Sequence, residues 1–137
     1  MLSKVHHVGI VVRNLEEAYL FYRDTLGLQV HKVAVVEDQG VKAALLTIGN
    51  SEIELLEPIN SSGGVAKFLE RRGEGLHHIC FQTDDVTKEL AATKAKGVEL
   101  IDQTPRKGLA GMICFLHPRA NHGVLIEYAQ PFDDEHN

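Results

Sequence analysis

The chain has 137 residues, 44% of them hydrophobic and 24% charged, a formal net charge of −5 and two cysteines, a balance that fits one globular domain able to bury a core and argues against a disordered chain. The acidic excess speaks against a broad phosphate-gripping face, so no nucleic-acid partner is expected. An apolar run of about 18 residues and a basic leader followed by an apolar core are both lacking, so no membrane association is expected and the reading is a cytoplasmic protein.

In chain order, residues 4–12 are rich in β-branched types and read as a strand that ends at Arg13-Asn14. Asn14 can cap a following helix with Glu17 as its reciprocal partner, and Leu15, Ala18, Tyr19, Tyr22 and Leu26 recur near a 3.6 period until Gly27. Within it, Tyr19, Phe21 and Tyr22 read as core or interface aromatics. Strands are predicted over 28–36, 41–48 and 51–56, separated by Asp38-Gln39-Gly40 and Gly49-Asn50, which have the backbone freedom that hairpins need. A polar link and a short helix over 65–72 connect to a second series: strand 76–83, helix 85–96 ended by Gly97, and strands near 98–101, 111–116 and 123–129. Cys80 and Cys114 both fall inside apolar strand-like segments without CxxC spacing, which points to buried, reduced thiols.

Each series is βαβββ, and the two match in residues as well as in pattern. VHHVGIVVRNLEEA aligns with LHHICFQTDDVTKE at an offset of 71, and IELLEP aligns with IEYAQP at an offset of 73. The chain therefore reads as one α+β domain over 1–137: repeat one about 4–58, a connector 59–74, repeat two about 75–131 and a polar tail 132–137. A four-stranded unit with one helix leaves its second sheet face to be covered by the other unit.

The duplicated residues carry the chemistry. Neighbours in a strand face opposite ways, so only one histidine of each HH pair shares a face with the residue two places on: His7 with Gly9, His78 with Cys80. Glu54 and Glu127 each stand between apolar neighbours in the last strand of their repeat, where a carboxylate is costly unless paired or bound to a cation. Two histidines and two glutamates related by an internal pseudo-twofold would form an N2O2 set, and with two positions left for water it suits an octahedral divalent ion better than a closed zinc site. The metal ligands expected are thus His7, Glu54, His78 and Glu127, with packing or supporting roles for His6 and His77.

Paired βαβββ units with a histidine early in each first strand and a glutamate in each last strand resemble the vicinal oxygen chelate superfamily. It includes glyoxalase I, methylmalonyl-CoA epimerase, extradiol dioxygenases and the bleomycin and fosfomycin resistance proteins. The likeness runs from Val5 to Pro131, and within the superfamily VHHVGIVVRNLEEA, EGLHHICFQTDDV and FLHPRANHGVLIEYAQ are most similar to the methylmalonyl-CoA epimerases. Glyoxalases tend to read DPDG before IEL, whereas here Leu116-His117-Pro118-Arg119 precedes Gly123-Val124-Leu125-Ile126-Glu127.

The resemblance implies that the two units pair into a curved eight-stranded mixed sheet forming a metal-binding cup. It also implies one divalent metal ion per chain (Co, Zn, Ni or Mn), a homodimer, and an acyl-CoA substrate. The implied reaction removes and returns the C2 proton of a 2-carboxyacyl thioester through a metal-stabilised enolate. Glu127 matches the glutamate that serves the epimerases as ligand and base, and Glu54 is the candidate for the opposite face. Some bacterial epimerases carry a further glutamate in a Gly-Val-x-Glu sequence, and this chain reads Gly40-Val41-Lys42-Ala43. The basic loop 104–111 offers Arg106 and Lys107, with Arg119 beyond it, for the phosphates of coenzyme A. A glyoxalase I-like lactoylglutathione lyase and an antibiotic-binding resistance-type protein are the alternative readings.

Overall fold

The computed structural model describes residues 1–133, so most of the expected polar tail, from 134 on, lies outside the described residues. In chain order the elements are β1 (Leu2–Val11), α1 (Leu15–Tyr19), a π-helical turn (Leu20–Thr25), β2 (Gln29–Val36), β3 (Val41–Ile48), β4 (Ser51–Pro58), α2 (Gly64–Arg72), β5 (Gly75–Thr83), α3 (Val86–Ala95), β6 (Arg106–Gly108), β7 (Gly111–Leu116) and β8 (Ile126–Gln130). Hydrogen bonds join the strands into one mixed sheet in the order β2-β3-β4-β1-β5-β8-β7-β6. This is the α+β, eight-stranded mixed architecture that the family resemblance implies. By compactness the chain divides into two units, one from His7 to His77 and one made of Met1–His6 with the chain from His78 onward.

In the first unit β1 runs parallel to β4, β4 antiparallel to β3, and β3 antiparallel to β2. One sheet face carries Ile10, Ala44, Leu46, Ile53 and Leu55 against Leu15 and Tyr19 of α1. The helix starts where the sequence predicts: the Asn14 side chain accepts a hydrogen bond from the Glu17 amide at 2.9 Å, and Glu57 on β4 accepts one from the Leu15 amide at 2.7 Å. We expect Asn14→Ala to cost about 1 kcal/mol in a denaturant titration, because the Glu17 amide then loses its cap. The sequence predicts one continuous helix to Gly27, but the chain widens to π geometry after Tyr19. The Thr25 hydroxyl donates to the Leu20 carbonyl five residues back (3.0 Å), and Arg23 lies 5.1 Å over the Tyr19 ring. Tyr19 is core and Tyr22 packs against it, whereas Phe21 is 52% exposed.

The second unit repeats the arrangement. β5 is parallel to β8, which is antiparallel to β7, and β7 to β6. Val86 and Leu90 of α3 pack on Cys114, Leu116 and Tyr128, while the opposite face presents Cys80, Ile113, Phe115 and Ala129. The Tyr128 hydroxyl reaches Thr93 of α3 at 2.9 Å, so this helix is pinned by a polar contact as well as by packing. At Gly111 (φ +128) any side chain would press its Cβ into the carbonyl of Gln130 and within 2.7 Å of the Pro131 Cα, which keeps the β6–β7 turn tight against β8.

The strand predicted near 98–101 is corrected. That segment makes one bridge, Leu100 to Leu116, and the regular strand is Arg106–Gly108. The cause is Asp102. Its carboxylate accepts the Phe115 amide hydrogen at 2.8 Å, while the amides of Ile101 and Asp102 both donate to the Phe115 carbonyl, so a side chain takes the place of the next ladder rung. The last strand also starts later than predicted, at Ile126, after a 3-10 turn (Pro118–Asn121) and two positive-φ residues, His122 and Gly123. No helix is long and apolar enough to cross a membrane.

Candidate metal centre

In the first unit His7 comes from β1 and Glu54 from β4. The parallel register sets Glu54 opposite Gly9, two residues beyond His7, so the two side chains rise from the same face on adjacent strands. On the far side of β4 the neighbour of Glu54 is Leu45. Both polar residues are nearly out of water, His7 at 1% and Glu54 at 7% exposure, and His7 Nε2 lies 3.2 Å from Glu54 Oε1.

In the second unit the same construction recurs residue for residue. Glu127 on β8 stands opposite Cys80, two residues beyond His78 on β5, with Phe115 as its other neighbour. His78 and Glu127 are each 4% exposed, and His78 Nε2 lies 3.0 Å from Glu127 Oε1. The edge of Phe115 meets the His78 ring at 5.7 Å between centroids, which fixes the imidazole plane. In both units the pair sits on the face away from the helix that covers the sheet.

Burying a carboxylate beside an imidazole is expensive unless positive charge compensates it. A divalent cation supplies that charge, and each pair offers a nitrogen and an oxygen donor about 3 Å apart. The donor chemistry of each pair, His7 with Glu54 and His78 with Glu127, therefore fits a divalent transition ion. Of the neighbouring histidines, alternation turns His77 to the other face, whereas His6 keeps a ring nitrogen within 4.8 Å of Cys80 Sγ. His77 packs edge-on against Phe68 of α2 at 5.0 Å, and His6 is buried.

The basic residues are already engaged. Arg106 Nε donates to Asp102 at 3.0 Å and its guanidinium lies 5.5 Å from the Phe115 ring, while Lys107 Nζ lies 5.7 Å from the Phe132 ring. Arg119 forms a two-point contact with Glu99 (3.2 and 2.9 Å), which holds the Glu99 carboxyl below its usual range. Cys80 and Cys114 are fully buried, and desolvation pushes the Cys114 thiol up to about 12. Neither is a nucleophile in this setting. One cation on the Glu54 face escapes simple alternation: Lys32 on β2 stands opposite Leu45. The signal that could have revealed it, a β-bulge at His31, has no distinctive residue of its own.

Comparison with known proteins places these features. Residues 6–115 match the family model of the glyoxalase/bleomycin resistance protein/dioxygenase superfamily. The chain is 39% identical to an uncharacterized protein of Bacillus subtilis over 99% of this chain and 98% of that one. It is 35% identical to the ethylmalonyl-CoA/methylmalonyl-CoA epimerase of Cereibacter sphaeroides, covering 95% of this chain and 99% of the relative. Among solved structures, the methylmalonyl-CoA epimerase of Streptomyces coelicolor in complex with 2-nitronate-propionyl-CoA superposes with a TM-score of 0.90 at 41% identity, covering 93% of this chain and 96% of the other.

Proposed function

Since the chain belongs to the glyoxalase/bleomycin resistance protein/dioxygenase superfamily, we propose that it is a metal-dependent epimerase of methylmalonyl-CoA type whose single divalent ion is held by His7, Glu54, His78 and Glu127. The observation that carries the reading is the duplicated pair: a buried imidazole and a buried carboxylate set in the same register in both units. Neither pair alone meets the ligand count of a metal enzyme, and together they do. Epimerase relatives at 35% and 41% identity support the reaction class.

When bound, the ion supplies positive charge to the two neighbouring oxygens of a 2-carboxyacyl thioester and eases departure of the proton between them. Glu127 takes that proton, since a carboxylate has a second oxygen able to accept it, whereas an imidazole that would ligate the ion could not. Phe115 and Cys80 flank Glu127 and keep water from it. Epimerisation also needs a proton on the opposite face, and Glu54 is the carboxylate available for it. Ala43, where some epimerases carry a glutamate, is 1% exposed on the same face as Glu54 and brings no ionisable group. Arg106, Lys107 and Arg119 are assigned to the coenzyme A phosphates, exchanging their present carboxylate and ring partners for phosphate oxygens.

A glyoxalase I-type lyase is the second reading, favoured by the equivalence of Glu54 and Glu127, which would let both carry protons. The two separate by assay in deuterated water. Exchange at C2 of methylmalonyl-CoA, lost on chelation and restored by divalent metal, is expected. Absence of exchange together with isomerisation of the glutathione or bacillithiol adduct of methylglyoxal would replace the epimerase reading by the lyase.

A further inference from the structure

We infer that Lys32 is the residue that grips the free carboxylate of the acyl group, and so selects carboxyacyl thioesters over plain acyl thioesters. This rests on the acyl-CoA reading above and deepens it.

The pairing of β2 with β3 breaks register once. Along β2 and β3 the pairs run Val30 with Leu46, then Lys32 with Leu45, so that His31 is an extra residue on the β2 side. Without that bulge Lys32 would pair with Ala44, whose face is the one packed on Leu15 and Tyr19. With it, Lys32 stands opposite Leu45, which stands opposite Glu54, which stands opposite Gly9. Lys32 therefore shares the Glu54 face. A bulge that re-aims a side chain is a recurrent device beside active sites.

Burial follows the shifted register in an order hydrophobicity alone would not choose. Lys32, Ala34 and Val36 are half-buried, while Val33 and Val35 on the other face are 44% and 52% exposed. A strand that turns two valines to water and a lysine inward gives up apolar burial, a choice expected where the charged group serves function.

The distance agrees. Two strand spacings put the backbones of Lys32 and Glu54 roughly 10 Å apart, a gap that a four-carbon stem and a glutamate can span with a small group between them. The adjoining row on that face is Ala34 opposite Ala43, two small residues beside the Lys32–Leu45 row. A substrate carboxylate lying over Glu54 thus meets a cation from β2, and the positive charge offsets the repulsion between it and the buried glutamate. A plain acyl thioester has no group to use that cation.

The test compares malonyl-CoA with acetyl-CoA, which differ by that carboxylate, as ligands of the metal-loaded wild type, K32M and K32R by calorimetric titration. Wild type should prefer malonyl-CoA, K32M should lose about 10- to 100-fold in malonyl-CoA affinity with acetyl-CoA unchanged, and K32R should keep most of the preference. Metal content and thermal midpoint of K32M should match wild type; K32Q is the substitute if K32M does not fold. Malonyl-CoA affinity undiminished in K32M and K32Q overturns the inference, and so does an equal loss for both ligands, which would place Lys32 on the coenzyme A portion or in the metal site. C2 exchange by the wild type is measured separately. Its absence would remove the epimerase reading, while malonyl-CoA affinity lost in K32M with acetyl-CoA unchanged would still uphold the role of Lys32.

Discussion

Replacing Glu127 by Gln is expected to slow C2 proton exchange by on the order of 100-fold or more while most of the metal stays bound. The amide keeps an oxygen of nearly the same position for the ion but has no basic lone pair for the substrate proton. The change is close to isosteric, so packing between Cys80 and Phe115 is retained. The check is single-turnover exchange of the C2 proton, measured beside metal stoichiometry by mass spectrometry on the same preparation. If Glu54 is mainly a ligand, Glu54→Gln is much milder. Equal losses in the two variants, with lyase activity in the wild type, would favour the two-carboxylate lyase, and near-normal exchange in Glu127→Gln would remove Glu127 as the base.

The second large effect is on the metal. His78→Ala is expected to lose most of the bound ion, whereas His77→Ala, one residue away, should keep nearly all of it. Alternation is the reason: His78 turns to Glu127, and His77 turns to Phe68 on the connecting helix. His77→Ala should therefore show its cost in stability, through lost contact with that ring, and not in metal content. The measurement is the metal-to-protein ratio after dialysis against a weak chelator. Equal depletion in both variants would mean that the strand, and not the side chain, controls binding.

Much of this was legible in the sequence because duplication doubles every signal. A lone strand histidine or glutamate says little, but His7 with Glu54 and His78 with Glu127 occur at matching places, and the structure builds both pairs on one register. The cap of the first helix was legible too, since Asn14 accepts from the amide three residues on, whereas the Asp85 cap of α3 was not read. What escaped were features set by one side chain acting on distant backbone. Nothing local in Asp102 says that it will bind the amide of Phe115 and displace the regular strand to Arg106–Gly108. Nor does VHKVAV announce a bulge: read with simple alternation it buries Val33 and Val35, and only pairing with β3 reverses the faces. The widening of the first helix belongs to the same class, for its period is too close to 3.6 to separate π from α geometry over six residues.

The condition of the two thiols makes the protein a convenient carrier for spectroscopic reporters. Cys80 and Cys114 are both at 0% exposure, and burial pushes the Cys114 thiol up to about 12, so maleimide and thiosulfonate reagents have no accessible native target in the folded chain. A single cysteine introduced at Val33, exposed on the outer face of β2, would then be labelled alone. A fluorophore or spin label there sits next to Lys32 in sequence, on the opposite face of β2 from the Lys32 side chain.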